Sequence, residues 1–265
     1  MSRVTGTQTK STSQSLPLLY KDPVVLRFEE HKRKALLPLD NYRFSENAVA
    51  IPLLVSEFSH AVRHYPIIFA DGEQPAPLAL VGLNDGKNLF LTEEGNWRTG
   101  AYVPAYLRRY PFIVTEVVDS GQQFLAIDAG SDRLADIDER EDAQPLFDEL
   151  GGSTELATQA ISFCQAFHAD HLRSEAFGRA LKEQELLMPR QAAMQFSESD
   201  KFTMEGFSTV DAKKFHALTN PSLLQEWHSN GWLAAISLHI ASIQNWETLL
   251  HLKAEREPKP EAKAA

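Results

Sequence analysis

The chain has a single cysteine and no long apolar run, and each shortage argues against one class of protein. Its 265 residues include one cysteine, Cys164, so no intrachain disulfide can form, which fits a reducing compartment. We expect this thiol to be buried and inert. No apolar run approaches the roughly 20 residues that a membrane helix needs. Residues 1–16 are polar and lack the apolar core of a secretory signal, so we expect a disordered leader and a cytoplasmic protein.

Basic residues are in the minority, and the common catalytic motifs are missing. Lys and Arg number 26 against 36 Asp and Glu, for a formal net charge of −10. Such a chain repels a phosphate backbone, so no nucleic-acid partner is predicted. There is no GxGxxG after a strand, no GxxxxGK[ST] and no GxSxG. The sequence therefore assigns neither a reaction nor a cofactor.

What the chain does contain is a repeated junction. Arg63–Pro66 leads into the apolar run Ile67–Phe69, and Arg108–Pro111 leads into Phe112–Val114, with Tyr-Pro as the last step in both copies. Proline lacks an N–H and restricts the residue before it, so each copy predicts the end of a helix and the start of a strand. We predict two equivalent helix-to-strand junctions in one sheet.

The order of strand and helix signals predicts an α+β protein. Residues 17–130 form a strand-rich half with a largely antiparallel sheet, because turn signals such as Asn84–Lys87 join short apolar runs. The acidic segment 131–152 predicts a linker. Residues 153–253 have helical spacing and predict a helical half packed against the sheet. Residues 254–265 predict a disordered tail.

Two helices dominate the second half. One is predicted from Ser153 to about Leu187, before a proline ends it. The other carries a wide apolar face between Trp232 and Leu250. We expect that face to pack on the sheet or on the long helix, and a homodimer surface is the alternative.

Two groups of side chains have the residue types of a metal site. Glu57, His60 and His64 share one helix face, with the histidines at the i, i+4 spacing that zinc sites use. The glutamate does not directly follow the first histidine, as HExxH requires, so we predict no metal there. On a helix, His168 and Asp170 point about 200° apart, which predicts solvated polar residues and not shared ligands.

The first choice for a ligand site is an aromatic and basic cluster. It consists of Trp97, Tyr102, Tyr106, Arg108 and Arg109. Aromatic faces can stack on a ligand, and guanidinium groups can bind carboxylate or phosphate. We favour the structural interpretation, with packed aromatics and arginines that face solvent or cap carbonyls, and keep the ligand site as the alternative. Adjacent helical residues point about 100° apart, so we expect only one of the two arginines to face a ligand.

These segments also resemble the SapC family. The resemblance covers most of residues 17–250, and its most specific piece is Tyr102–Phe112, YVPAYLRRYPF. The family is named after a gene beside a bacterial surface-layer locus, and similar proteins often occur near TonB-dependent receptors and flavin-dependent halogenase-like proteins. The resemblance implies an accessory role in surface or uptake systems and no catalytic residues. It also rests on Pro17–Tyr20, Glu57–Phe58, Tyr65–Ile67, Leu83–Phe90, Gly95–Trp97 and Gly231–Leu250.

Two functions remain as alternatives. The leading interpretation is a non-catalytic SapC-like accessory or binding protein, with a protein partner or a small-molecule ligand and no membrane insertion. The other is a small-molecule or peptide-modifying enzyme that uses the Trp97–Tyr110 region, with a metal at His60 and His64. Metal content of the purified protein would discriminate between them.

Overall fold

The computed structural model describes four stretches of the chain, residues 16–83, 86–117, 122–195 and 201–256. Most of the predicted leader and tail and parts of the predicted turns, including Asn84 and Asp85, lie outside these stretches. Residues 254–256, which the tail prediction includes, continue the last helix.

The fold is α+β, which confirms the prediction from sequence. Every pair of strands in the described residues is antiparallel. The strands are β1 (Pro23–Val25), β2 (Lys34–Leu36), β3 (Ala50–Pro52), β4 (Ile67–Ala70), β5 (Pro77–Leu80), β6 (Phe112–Val117), β7 (Gln122–Asp128), β8 (Leu134–Asp136), β9 (Gln144–Pro145), β10 (Leu187–Gln195) and β11 (Lys201–Val210).

The helices are short in the first half of the chain and longer in the second. Helix α4 is the predicted long helix, and the Thr154 side chain caps it by accepting a hydrogen bond from the Ala157 amide. A 3₁₀ turn at Ile243–Asn245 divides the predicted final helix in two. The helices are α1 (Phe28–His31), α2 (Phe58–Ala61), α3 (Ala105–Arg108), α4 (Glu155–Glu183), α5 (Ala212–His216), α6 (Pro221–Ser229), α7 (Trp232–Ser242) and α8 (Trp246–Arg256).

The strands form three sheets, and the prediction that both Tyr-Pro junctions lead into one sheet is wrong. The five-stranded sheet has the order β10-β11-β4-β5-β3, and the three-stranded sheets have the orders β1-β7-β6 and β8-β2-β9. Each junction does follow a short helix, α2 before β4 and α3 before β6. Each strand then pairs with the next strand along the chain, and this local pairing places the two copies in different sheets.

Strands also occur where the sequence pattern indicates a helical half and a linker. The hairpin β10–β11 joins the sheet of the first half, with Phe207 opposite Ala70. The acidic segment supplies β8 and β9, which flank β2. In β8, Ala135 is buried and Asp136 is exposed. Because neighbouring side chains of a strand point to opposite faces, an edge strand can form in this charged segment with its charged side chain in solvent.

The main hydrophobic core contains residues from both halves of the chain. Phe58 of α2 meets Phe177 of α4 edge to face, with ring centroids 6.2 Å apart. Ile236 of α7 and Leu249 of α8 are fully buried, so the apolar face of the final helices packs within the protein. A smaller core includes Cys164, and burial raises the pKa of its thiol to about 11. None of the described helices is long and apolar enough to span a bilayer.

Candidate ligand-binding site

A buried carboxylate, Glu57, organises the segment around the predicted cluster. Its Oε1 accepts hydrogen bonds of 2.7 Å from both the Tyr102 hydroxyl and the Ala105 amide, and its Oε2 accepts one of 2.8 Å from the Leu54 amide. Only 4% of Glu57 is exposed. These bonds attach the start of α3 to the turn before α2, and both carboxylate oxygens are engaged in them.

The histidines near Glu57 lie against aromatic rings. His60 stacks on Tyr102 with ring centroids 5.1 Å apart, and His64 packs against Tyr65. In the part of the chain that the structure describes, no group of three His, Cys, Asp or Glu residues is arranged to hold a metal ion.

The two polar residues of α4 singled out by sequence have different neighbours. Nε2 of His168 lies 3.7 Å from Oε2 of Glu116. Asp170 accepts hydrogen bonds from Ser56 Oγ at 3.1 Å and from Arg173 at 2.8 Å. Their opposite directions follow from their spacing on one helix.

Trp97 lies in the core. Its indole Nε1 donates to the Tyr65 hydroxyl at 3.1 Å and to the Tyr102 carbonyl at 3.2 Å, and its ring stacks on Phe90. The side chain is buried, and the Tyr42 ring also contacts it edge to face. Trp97 therefore holds the backbone carbonyl of Tyr102 by a hydrogen bond from the core.

Tyr106 and Arg109 form a second, separate group. The Tyr106 hydroxyl donates to the Leu18 carbonyl at 2.7 Å. The Arg109 guanidinium lies 4.3 Å from the Tyr106 ring centroid, 4.2 Å from that of Phe167 and 5.7 Å from that of Tyr20. Its half-buried charge is thus packed among aromatic rings, which stabilise a cation through their faces.

Arg108 and Tyr102 line an open groove of about 230 Å³. Arg108 Nε donates to the Val103 carbonyl at 3.1 Å, and an amino nitrogen donates to the Tyr102 hydroxyl at 3.2 Å. The guanidinium also lies 5.3 Å from the ring centroid of Phe163 in α4. The groove is also lined by Ser56, Glu57, His60, Phe167 and Asp170.

The groove continues into a larger cavity. Ser56 and Asp170, which are joined by a hydrogen bond, line both spaces. The second cavity has a volume of about 590 Å³ and includes Trp232 and Leu238 of α7. Residues of α4 line both spaces, and the hydrogen-bonded pair of Ser56 and Asp170 lies where they meet.

Tyr102 is a fixed donor in this groove. Burial, together with the neighbouring Glu57 carboxylate, raises the pKa of its phenol to about 12. The phenol is therefore protonated at neutral pH and donates to Glu57. The groove presents a guanidinium cation, an imidazole and aromatic faces, which is chemistry for binding a flat or acidic group.

The five predicted residues thus occupy three environments. Tyr102 and Arg108 line the groove, Tyr106 and Arg109 lie in the aromatic group behind it, and Trp97 is in the core. Sequence reasoning missed the contribution of α4. Its groove residues have helical spacing that is visible in the sequence, but nothing in the sequence pairs that face with α3. They are Phe163, Ala166, Phe167 and Asp170.

The family model for SapC matches residues 26–249, which is most of the chain and includes every residue of the groove. Comparison with curated proteins and with solved structures found no match. The chain therefore belongs to the SapC family.

Proposed function

We propose that this protein is a non-catalytic binding protein that serves as an accessory to bacterial surface or nutrient-uptake systems. We further propose that its ligand binds in the groove at Tyr102 and Arg108. The observation that carries the proposal is the set of contacts that the Arg108 guanidinium makes. Its exposed guanidinium is held by a carbonyl and a phenol, and it forms no ion pair with a residue of the described chain.

The groove favours a small molecule that joins an acidic group to a flat or apolar part. A carboxylate on the ligand would form charge-assisted hydrogen bonds with Arg108. The Tyr102 ring, which stacks on His60, and the Phe163 ring offer apolar surface next to that cation. Asp170, already bonded to Ser56 and Arg173, would disfavour a second acidic group at the far end of the groove.

The cellular setting is part of the proposal. Membership of the SapC family supports a role beside other proteins of such systems. The single buried thiol fits the reducing conditions of the cytoplasm. Fractionation of cells that produce the tagged protein, followed by a pull-down from each fraction, tests location and protein partners together.

A thermal-shift screen with small carboxylic acids, including aromatic ones, tests the ligand. A compound that binds only the native state must raise the melting temperature. For a compound that does so, calorimetry on Arg108→Gln should show binding about 10- to 150-fold weaker, the loss expected for one charge-assisted bond. Arg63→Gln, at an exposed position outside the groove, is the matched control and should bind like wild type. Unchanged affinity in a folded Arg108→Gln protein would contradict the proposal.

A further inference from the structure

A larger cleft lies apart from the groove, where α8 ends. Its volume is about 930 Å³, and none of its lining residues lines the groove. Three separate segments form its walls, residues 43–47, residues 87–99 and the last turn of α8. A cleft of this size fits a small metabolite.

Basic side chains outnumber acidic ones on these walls. The cleft has four basic residues against three glutamates, in a chain whose formal net charge is −10. Arginines in particular suit planar acidic groups, because the guanidinium can donate two parallel hydrogen bonds. The basic residues are Arg43, Lys87, Arg98 and Arg256.

Two of the arginines are held in place by carbonyl groups. Arg43 donates to the Glu93 carbonyl, and its stem packs on Gly95, where a Cβ would lie 2.4 Å from Arg43 Cγ. Gly95 also has a φ of +86°, which glycine adopts without steric cost. Both the close approach of Arg43 and this backbone conformation therefore favour glycine. Arg256 donates to the Leu91 carbonyl. These contacts hold both side chains in place, which is the preorganisation that a binding site needs.

The third arginine already binds a carboxylate inside the cleft. An Arg98 amino nitrogen lies 2.6 Å from Oε2 of Glu255, in the last turn of α8. His251 Nε2 lies 3.2 Å from the other oxygen of the same carboxylate. Arg98 Nε is buried and has no hydrogen-bond partner among the described residues. The contact with Glu255 therefore shows that Arg98 can bind a carboxylate at this position.

We propose that this cleft is a second binding site, for a small anion that carries a carboxylate or a phosphate. Arg43 and Arg98 contact the anion, and Glu255 competes with it for Arg98. This site is independent of the groove at Arg108, because the two spaces share no residue.

Calorimetry on the full chain at low ionic strength tests the proposal, with citrate as the carboxylate probe and inorganic pyrophosphate as the phosphate probe. Arg43→Gln and Arg98→Gln should each weaken binding of the preferred probe by about 10-fold or more. Glu255→Gln should strengthen it about two- to five-fold, because removing an exposed ion pair releases Arg98. The probe that binds more tightly identifies the class of ligand.

Control variants distinguish specific binding in the cleft from nonspecific electrostatic attraction. Arg63→Gln removes an exposed charge outside both spaces and should bind the probes like wild type, whereas a probe whose binding is weakened by Arg108→Gln and not by Arg43→Gln or Arg98→Gln occupies the groove and contradicts the proposal. Failure of wild-type protein to bind either probe would overturn the proposal, as would equal weakening by Arg63→Gln. Arg43 is exposed, so Arg43→Gln should stay folded even if Arg98→Gln does not. Weaker binding by Glu255→Gln would contradict the competition.

Discussion

At the scale of single residues, two buried carboxylates join segments that are far apart in the chain. Asp128 is fully buried, accepts hydrogen bonds from the Lys21 and Asp22 amides, and accepts one from the Tyr110 hydroxyl at 3.0 Å. Glu57 does the same for the turn before α2 and the start of α3. A carboxylate suits both positions because it only accepts hydrogen bonds, and all these neighbours only donate to it.

Replacing Glu57 with Gln should lower the free energy of unfolding by about 2 to 3 kcal/mol. The amide of Gln places a donor where one of the oxygens now accepts, so at least one bond from Leu54, Ala105 or Tyr102 is lost in a buried site. Urea denaturation measures the change. Glu183→Gln, at an exposed position of α4, should change stability by less than about 0.5 kcal/mol. Equal stability of the two variants would mean that the Glu57 bonds contribute nothing.

At the scale of elements, α4 is the support on which the groove and the core are built. One of its faces packs against the core through Phe177 and Leu181, and its Phe163 and Asp170 line the groove. A single glycine, Gly178, allows the helix to approach the loop before β5 closely, since a Cβ there would lie 1.9 Å from the Pro75 carbonyl oxygen. The obstacle is backbone, which cannot move aside as a flexible side chain would.

Gly178→Ala should therefore destabilise the protein, by about 2 kcal/mol, although Ala in place of Gly inside a helix usually stabilises by about 1 kcal/mol. The overpacking against the Pro75 carbonyl outweighs the gain in helix propensity. Thermal and urea denaturation measure the sign. Gln159→Ala, on an exposed face of the same helix, serves as control and should be close to neutral or slightly stabilising. A more stable Gly178→Ala protein would contradict the close approach.

At the scale of the whole molecule, one core draws on both halves of the chain. The cluster around Phe58 and Tyr65 includes residues from α4, β11, α7 and α8. The β10–β11 hairpin also completes the five-stranded sheet by pairing with β4. All six tyrosines of the chain are placed so that burial raises the pKa of their phenols.

The folded protein should therefore show little tyrosinate absorbance at pH 10, where tyrosines of the urea-unfolded chain are half ionised. The sign for stability follows from the raised pKa of the folded state. The unfolded chain releases phenolic protons near pH 10 while the folded chain keeps them, so stability is intact below pH 10 and is lost as pH rises towards 12 and beyond. Absorbance titration of folded and unfolded protein measures this. Ionisation of several tyrosines near pH 10 in the folded protein would contradict it.

Local signals in the sequence correctly predicted the α+β class, the long helix α4, and the change from helix to strand at both Tyr-Pro steps. Those features depend on proline, on capping residues and on side-chain spacing, which act over a few neighbouring residues. The segments that resemble SapC, with Tyr102–Phe112 as the most specific, also indicated the family.

Only the tertiary structure decided which elements meet. The sequence signals of β4 and β6 are alike, yet they belong to different sheets, because a strand pairs with whichever partner the chain brings to its edge. Arg108 and Arg109 are neighbours in the chain, but packing of α3 turns one to the groove and the other to the aromatic rings around Tyr106. Likewise, Arg98 and Glu255 meet only because α8 returns to the first half of the chain. Such contacts depend on residues distant in sequence, which local patterns do not encode.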